Sequence, residues 1–199
     1  CCIFDEAKYQ SFLQKKELTA QLHHAVNHDF EGFEVYFQPI VDAGNYELRG
    51  AESLMRFSLP DGERISPAEF IPILEETGLI IPAGKWLMRR ALCMCKKWQE
   101  YIPDFKINVN LSYIQVIKSQ VLKEIMGAIE EYDLAPESVG IELTESGYLD
   151  SNLHFKKLWN GLRKNGVQII LDDFGTGYSN LHCLGDLEPD YIKIDRSFT

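Results

Sequence analysis

Apolar positions along the chain follow two alternating rhythms. Six short runs, FEVYFQPIVD, LRGAESLMRF, KINVNLS, VGIELTE, QIILDDFG and YIKID, are rich in β-branched and aromatic residues or alternate apolar with polar, as strands do. Between them, apolar residues recur every three or four positions. Leu87, Ala91, Leu92, Cys95 and Trp98 mark one helical face, Val121, Ile125, Ala128, Ile129 and Tyr132 a second, and Phe155, Leu158, Trp159 and Leu162 a third. Ahead of the first strand, Asp5 to Asn27 places Phe12, Leu13, Leu18, Leu22 and Val26 at helical spacings, without Gly or Pro, and reads as a leading helix or linker. Ser66-Pro67-Ala68-Glu69 has the composition of a capping box, with Gly78 as the stop, and Asn165-Gly166 closes the third helix. One helix is expected between KINVNLS and VGIELTE, and a short one between QIILDDFG and YIKID.

Strands that alternate with helices imply a parallel sheet with helical crossovers. An open doubly wound sheet and a closed barrel both satisfy that, and strand parity separates them. Along KINVNLS, Asn108 and Asn110 share one face and Ile107, Val109 and Leu111 the other; along YIKID, Lys193 and Asp195 lie opposite Ile192 and Ile194. A sheet with helices on both faces wants apolar residues on both. Polar groups gathered on one face near the carboxyl ends fit a barrel instead, so the fold class expected is α/β, a TIM-like βα barrel. A full barrel takes about 250 residues, so its last strands and helices are expected to be missing from these 199 residues.

The composition narrows the function without naming it. Thirty acidic against twenty basic side chains leave a formal charge of −10, which argues against a nucleic-acid-binding surface. No apolar stretch approaches the roughly 20 residues of a membrane span, so the chain is expected to be soluble and free of direct membrane contact, and its cysteine usage points to the cytoplasm. Five cysteines, at positions 1, 2, 93, 95 and 183, make no zinc-type pair of pairs and are read as reduced thiols. The histidines, His23, His24, His28, His154 and His182, are read as structural or exposed.

Chemistry concentrates where apolar strands end in hard oxygen donors: Glu52 in AESL, Asn110 in NVNLS, Glu142 in IELTE, and Asp172 and Asp173 in ILDDFG. Carboxylates gathered at one barrel mouth repel, and a divalent cation compensates them. Oxygen donors without Cys or His suit magnesium, manganese or calcium. Adjacent Asp172 and Asp173 could serve two metals, the arrangement used for phosphodiester hydrolysis. Lys193, on the polar face of the last strand, either holds an attacking water or a phosphoryl oxygen, or pairs with Asp172 or Asp195. Arg56 either grips phosphate or forms a surface ion pair. Gly175 and Gly177 in DDFGTGYSN belong to a phosphate cradle, a metal-site loop or a plain turn, of which the metal-site loop is favoured. Glu145 either anchors that loop or caps the following helix.

From about Phe33 onward the chain resembles the EAL domains, bacterial phosphodiesterases acting on cyclic di-GMP. The resemblance rests on YFQPIV, AESLMRF, NVNLS, IELTES, DDFGTGYS and YIKID in order. It implies a barrel whose first strand is antiparallel to the rest, and hydrolysis of cyclic di-GMP to linear pGpG with two magnesium or manganese ions, calcium being an inhibitor. By position, it implies metal ligands at Glu52, Asn110, Glu142, Asp172 and Asp173. Catalytic roles fall on Lys193, Glu52, Asp172 and Glu145, the last steadying the DDFG loop. Substrate contacts fall on Gln38, Leu54 and Arg56.

The resemblance divides the chain into a linker and leading helix over 1–30 and an EAL-type domain over 31–199 that lacks its last strands and helices. It further implies a homodimer, tethered in a longer signalling protein to a diguanylate-cyclase-like or sensor domain. Ser53 stands where the family usually has Ala, adding a hydroxyl beside Glu52, and Asn180 replaces a Ser of the loop. The alternative expectation is a catalytically silent domain that binds cyclic di-GMP or a protein partner as a receptor or scaffold.

Overall fold

A computed structural model describes residues 6–144, 153–175 and 188–198. Helix α1 (Glu6–Asn27) leads into strands β1 (Phe33–Val41), β2 (Leu48–Ser58) and β3 (Arg64–Ile65), followed by helices α2 (Pro67–Thr77) and α3 (Ile80–Gln99). Then come β4 (Lys106–Asn110), α4 (Tyr113–Lys118), α5 (Val121–Glu131), β5 (Val139–Thr144), α6 (Leu153–Lys164), β6 (Gln168–Phe174) and β7 (Tyr191–Ile194).

The strands form one sheet in the order β1-β2-β4-β5-β6-β7, with β3 paired to β2. From β2 through β7 the main path is parallel. Strand β1 runs antiparallel to β2, as the resemblance implies. Among the described residues β1 and β7 are the two ends of this order, so the barrel is not closed. The sheet has seven strands where the sequence pattern shows six, because Arg64–Ile65 is too short to carry a period.

Strand parity sets the layers. Ile107 and Val109 of β4, Val139, Ile141 and Leu143 of β5, and Ile169 and Leu171 of β6 point to the helix-covered face and are all buried. Against them pack the predicted helical stripes: Leu87, Ala91, Leu92 and Cys95 of α3, Val121, Ile125, Ala128 and Ile129 of α5, and Phe155, Leu158, Trp159 and Leu162 of α6. Burying each large side chain of this set contributes about 1.5 to 3 kcal/mol, so the helical coat holds the sheet in register. Of the α1 stripe, Leu22 is fully buried, whereas Phe12 and Leu13 stay exposed.

Helix ends follow the sequence punctuation with one shift. Ser66 accepts from the Ala68 N–H at 3.3 Å, and Gly78 ends α2 at φ 77°, a left-handed conformation suited to glycine. The reciprocal capping box forms at Ser112 and Gln115, at the start of α4. Ser119 is extended at φ −131° and separates α4 from α5, so the single helix expected there is two. The short helix expected before β7 falls outside the described residues.

Candidate metal centre at the carboxyl ends of the strands

The opposite, inward face of the same strands collects the polar side chains. Antiparallel pairing puts Gln38 across from Glu52, Tyr36 from Leu54 and Glu34 from Arg56, so these residues share that face. Parallel pairing brings Asn108 level with Glu52, and Glu142 level with Asn110. In β6 the register shifts between Leu171 and Phe174, and Asp173 takes φ 53°, a strained conformation for a non-glycine residue. This bulge ends the regular ladder at the point where the Asp pair meets the mouth.

Three carboxylates from three strands converge: oxygens of Glu52, Glu142 and Asp172 lie within 4.8 Å of one another. The Lys193 ammonium sits among them, at 2.9 Å from Glu52 Oε2, 2.8 Å from Glu142 Oε2 and 3.2 Å from Asp172 Oδ1. Asn110 donates its amide to Glu52 Oε1 at 2.9 Å, and Asn108 donates to Glu142 Oε1 at 3.0 Å. Of the pairings considered for Lys193, the one with Asp172 is present, together with Glu52 and Glu142.

These contacts set the charges. Burial, with the neighbouring Glu52 and Asp172 charges, pushes the Glu142 carboxyl up to about 7 against the pull of Lys193. Burial also acts on Glu52, but hydrogen bonds from Lys193 and Asn110 outweigh it and hold the acid below its usual value. For Lys193, burial is outweighed by Glu142 and Glu52, which keep the ammonium protonated. Asp173 is raised, first by burial and then by Asp172 and Asp195.

Among the described residues three carboxylates face one ammonium, and like charges within 4.8 Å of one another repel by about 3.5 kcal/mol or more at an effective dielectric of about 20. The oxygen-only donor set fits a hard divalent cation. Glu52, Glu142 and Asp172 could hold one, with the Asn110 amide oxygen beside them. Asp173 stands outside this trio, and its backbone N–H donates to Asp172 Oδ1 at 3.0 Å. Glu145 and Gly177 lie outside the described residues, as do Cys1, Cys2, Cys183, Asn180 and His182. Cys93 and Cys95 are free thiols. His23, His24, His28 and His154 are exposed.

A cavity of about 640 Å³ opens beside the trio, lined by Leu54, Arg56, Asn110, Tyr113, Thr144 and Asp173 among others. Its size suits a small-molecule ligand. The Arg56 guanidinium donates to the Met55 carbonyl at 2.9 Å and lies over the Tyr36 ring at 5.5 Å, aimed by a ring that the strand pattern did not single out. Gln38 is exposed on β1 and lies outside the cavity lining. The Ser53 hydroxyl donates to the Asn108 carbonyl at 2.8 Å and is fully buried, so it turns away from Glu52. Sequence reasoning also missed Glu75, which accepts from the Ser112 hydroxyl at 2.6 Å and ties α2 to the turn that follows Asn110. Neither the cavity beside the trio nor a second one of about 670 Å³, among α1, β3 and α2, is lined by the trio itself, but the first is lined by Ser53 and Asp173, the chain neighbours of Glu52 and Asp172. Among the described residues, no helix is long and apolar enough to cross a membrane.

The EAL domain family model matches residues 19–199. A cyclic di-GMP phosphodiesterase of Pseudomonas aeruginosa is 32% identical over 195 residues, which cover 98% of this chain and 32% of that protein. The bifunctional diguanylate cyclase/cyclic di-GMP phosphodiesterase MucR of the same organism is 31% identical over 198 residues, covering 99% of this chain and 29% of MucR. The chain therefore spans about a third of the length of these relatives. Among solved structures, an EAL enzyme with cAMP and cyclic di-GMP bound superposes with a TM-score of 0.88 at 31% identity, covering 96% of this chain and 53% of that one. The MucR phosphodiesterase in complex with cyclic di-GMP gives 0.84 at 33% identity, covering 92% and 73%. A match over residues 19–199 spans nearly the whole sequence, and the chain belongs to the EAL domain family.

Proposed function

We propose that this domain hydrolyses one phosphodiester bond of cyclic di-GMP to give linear pGpG, using magnesium or manganese held by Glu52, Asn110, Glu142 and Asp172, with Asp173 serving a second ion. The observation that carries the reading is the convergence of three carboxylates from three strands on one ammonium beside a ligand-sized cavity. Relatives named as cyclic di-GMP phosphodiesterases support it, as does the MucR complex.

Bound there, the ions supply Lewis acidity toward a phosphoryl oxygen and lower the pKa of water. The chain's own residues do the rest. Arg56, held by Tyr36 and the Met55 carbonyl, offers a guanidinium to a phosphate, and Leu54 packs beside the nucleotide. The contact assigned to Gln38 rests on the family resemblance alone, since its position on β1 lies outside the cavity lining. Lys193 stays protonated and so acts as a fixed cation that orients the attacking water and offsets charge on the phosphoryl group. A water oxygen bonds to phosphorus as the water gives up a proton, one P–O ester bond breaks, and the departing ribose oxygen is protonated at the water's expense.

The same reading places the domain on the cytoplasmic side, as a homodimer joined to a diguanylate-cyclase-like or sensor domain. The bifunctional name of MucR supports that last part. Light scattering of the purified protein tests the dimer; a monomer at every concentration contradicts it. The activity is tested by chromatography of cyclic di-GMP incubated with the full-length protein and magnesium or manganese. The reading predicts pGpG from the wild type and none from Glu52→Ala or after chelation. Tight binding without product from the wild type contradicts it and moves the domain to the receptor class.

A further inference from the structure

Asn108 has no role in the reading above, yet it touches the most buried carboxylate of the site. Asn108 and Asn110 stand on one face of β4, two residues apart, and each amide serves a different glutamate. Asn110 reaches Glu52 Oε1 at 2.9 Å and Asn108 reaches Glu142 Oε1 at 3.0 Å. Register makes the second contact the harder one. Asn108 lies level with Gly140, not Glu142, so its side chain must lean one step up the neighbouring strand.

Glycine at 140 supplies the space for that lean. A β-carbon at Gly140 would stand 2.6 Å from Asn108 Oδ1 and 2.7 Å from Ile170 Cδ1, both closer than real β-carbons approach other atoms. The Asn108 amide therefore lies over the bare glycine backbone. Glu142 itself is 1% exposed, and each of its oxygens is engaged, Oε1 by Asn108 and Oε2 by Lys193.

We infer that Asn108 is a positioning residue for Glu142, and that Gly140 is the gap that admits it. By holding Oε1, the amide fixes the plane of the carboxylate and leaves Oε2 directed toward Lys193, which also touches Glu52 and Asp172. The residue type fits the task. An amide donates to a carboxylate with the strength of a charge-assisted bond and adds no charge of its own. An aspartate of the same shape would place another negative group against Glu142, and serine is too short to cross from β4 to Glu142. Partners of this kind set the orientation of metal ligands, and losing one costs about 10- to 100-fold in metal affinity.

This inference rests on the metal-dependent reading proposed above, and its test separates the two. Manganese binding is measured by titration calorimetry on the full-length wild type, Asn108→Ala, Asn108→Asp, Gly140→Ala and the Asn108→Ala/Gly140→Ala double variant, with thermal unfolding midpoints beside it. Asn108→Ala should weaken manganese binding about tenfold or more, and the isosteric Asn108→Asp at least as much, with unfolding still cooperative. Gly140→Ala should weaken it too, because its β-carbon displaces the amide. In the double variant the second substitution should add no further loss. Wild-type affinity in both folded Asn108 variants would overturn the inference and leave the metal-dependent reading standing. Additive losses in the double variant would overturn the role of Gly140. A wild type that binds no manganese would overturn the inference and the metal-dependent reading together.

Discussion

The two faces of β4 and β5 are one residue apart in sequence and opposite in purpose. On the helix side, Ile107, Val109, Val139, Ile141 and Leu143 are at most 3% exposed and contribute packing alone. On the inward side, Asn108, Asn110 and Glu142 carry hydrogen bonds and charge toward Glu52 and Lys193. A slip of one residue in register would exchange the two sets. The apolar face therefore does more than stabilise: by fixing register, it aligns carboxylates that repel one another. Stability and chemistry in this sheet are separate in side chains and joined through the backbone.

Substitutions on either face can break that comparison. The largest effect is expected for Lys193→Met, which removes a cation that touches all three carboxylates. Cyclic di-GMP hydrolysis should fall about 10²- to 10³-fold. Without metal, stability should drop by roughly 2 to 3 kcal/mol, below the range for a fully buried pair because the lysine is one-third exposed. Manganese should restore much of that stability, which thermal unfolding with and without the ion would show.

On the helix side, Ile169→Ala should cost about 2 to 5 kcal/mol in urea unfolding, since Ile169 is fully buried. A loss of hydrolysis without a loss of stability in that variant would break the division between the faces. Cys95 of α3 sharpens it through pH. Burial pushes its thiol up to about 12, from about 9. The folded protein thus keeps a proton that the unfolded chain releases, and this group's contribution, present below pH 9, is lost as pH rises from 9 toward 12. The slope approaches about 1.4 kcal/mol per pH unit. Urea unfolding between pH 8 and 10 should show a shallower decline in Cys95→Ala than in the wild type. The smallest effect is expected for Ser53→Ala, which removes the hydroxyl bonded to the Asn108 carbonyl and should cost about 1 kcal/mol in the same assay.

What could be read in the sequence was periodic. Parity along KINVNLS separated Asn108 and Asn110 from Ile107 and Val109, and the stripes of α3, α5 and α6 matched their buried faces except at Trp98 and Tyr132, which are half-buried. The reciprocal cap at Ser112 and Gln115 was overlooked in favour of Ser66 and Glu69, although a serine three residues before a glutamine carries the same signal. What escaped depends on stagger between strands. The lean of Asn108 onto Glu142 needs the register of β4 against β5, and the contacts of Lys193 with Glu52 and Glu142, beyond the Asp172 pairing offered as one alternative, join β7 to strands far back in the chain. Tyr36 beneath Arg56 and Ser112 bonded to Glu75 are contacts between elements, which a period within one element does not encode.

The central claim is that the inward face gathers its carboxylates to hold divalent ions beside a cyclic dinucleotide. The most direct test is a crystal structure of the full-length protein with manganese and cyclic di-GMP, using anomalous scattering to locate the metal. The account predicts an anomalous peak bonded to Glu52, Glu142 and Asp172, with Lys193 facing the phosphate. Cyclic di-GMP bound in the cavity, with no peak and Lys193 still paired to all three carboxylates, would contradict it.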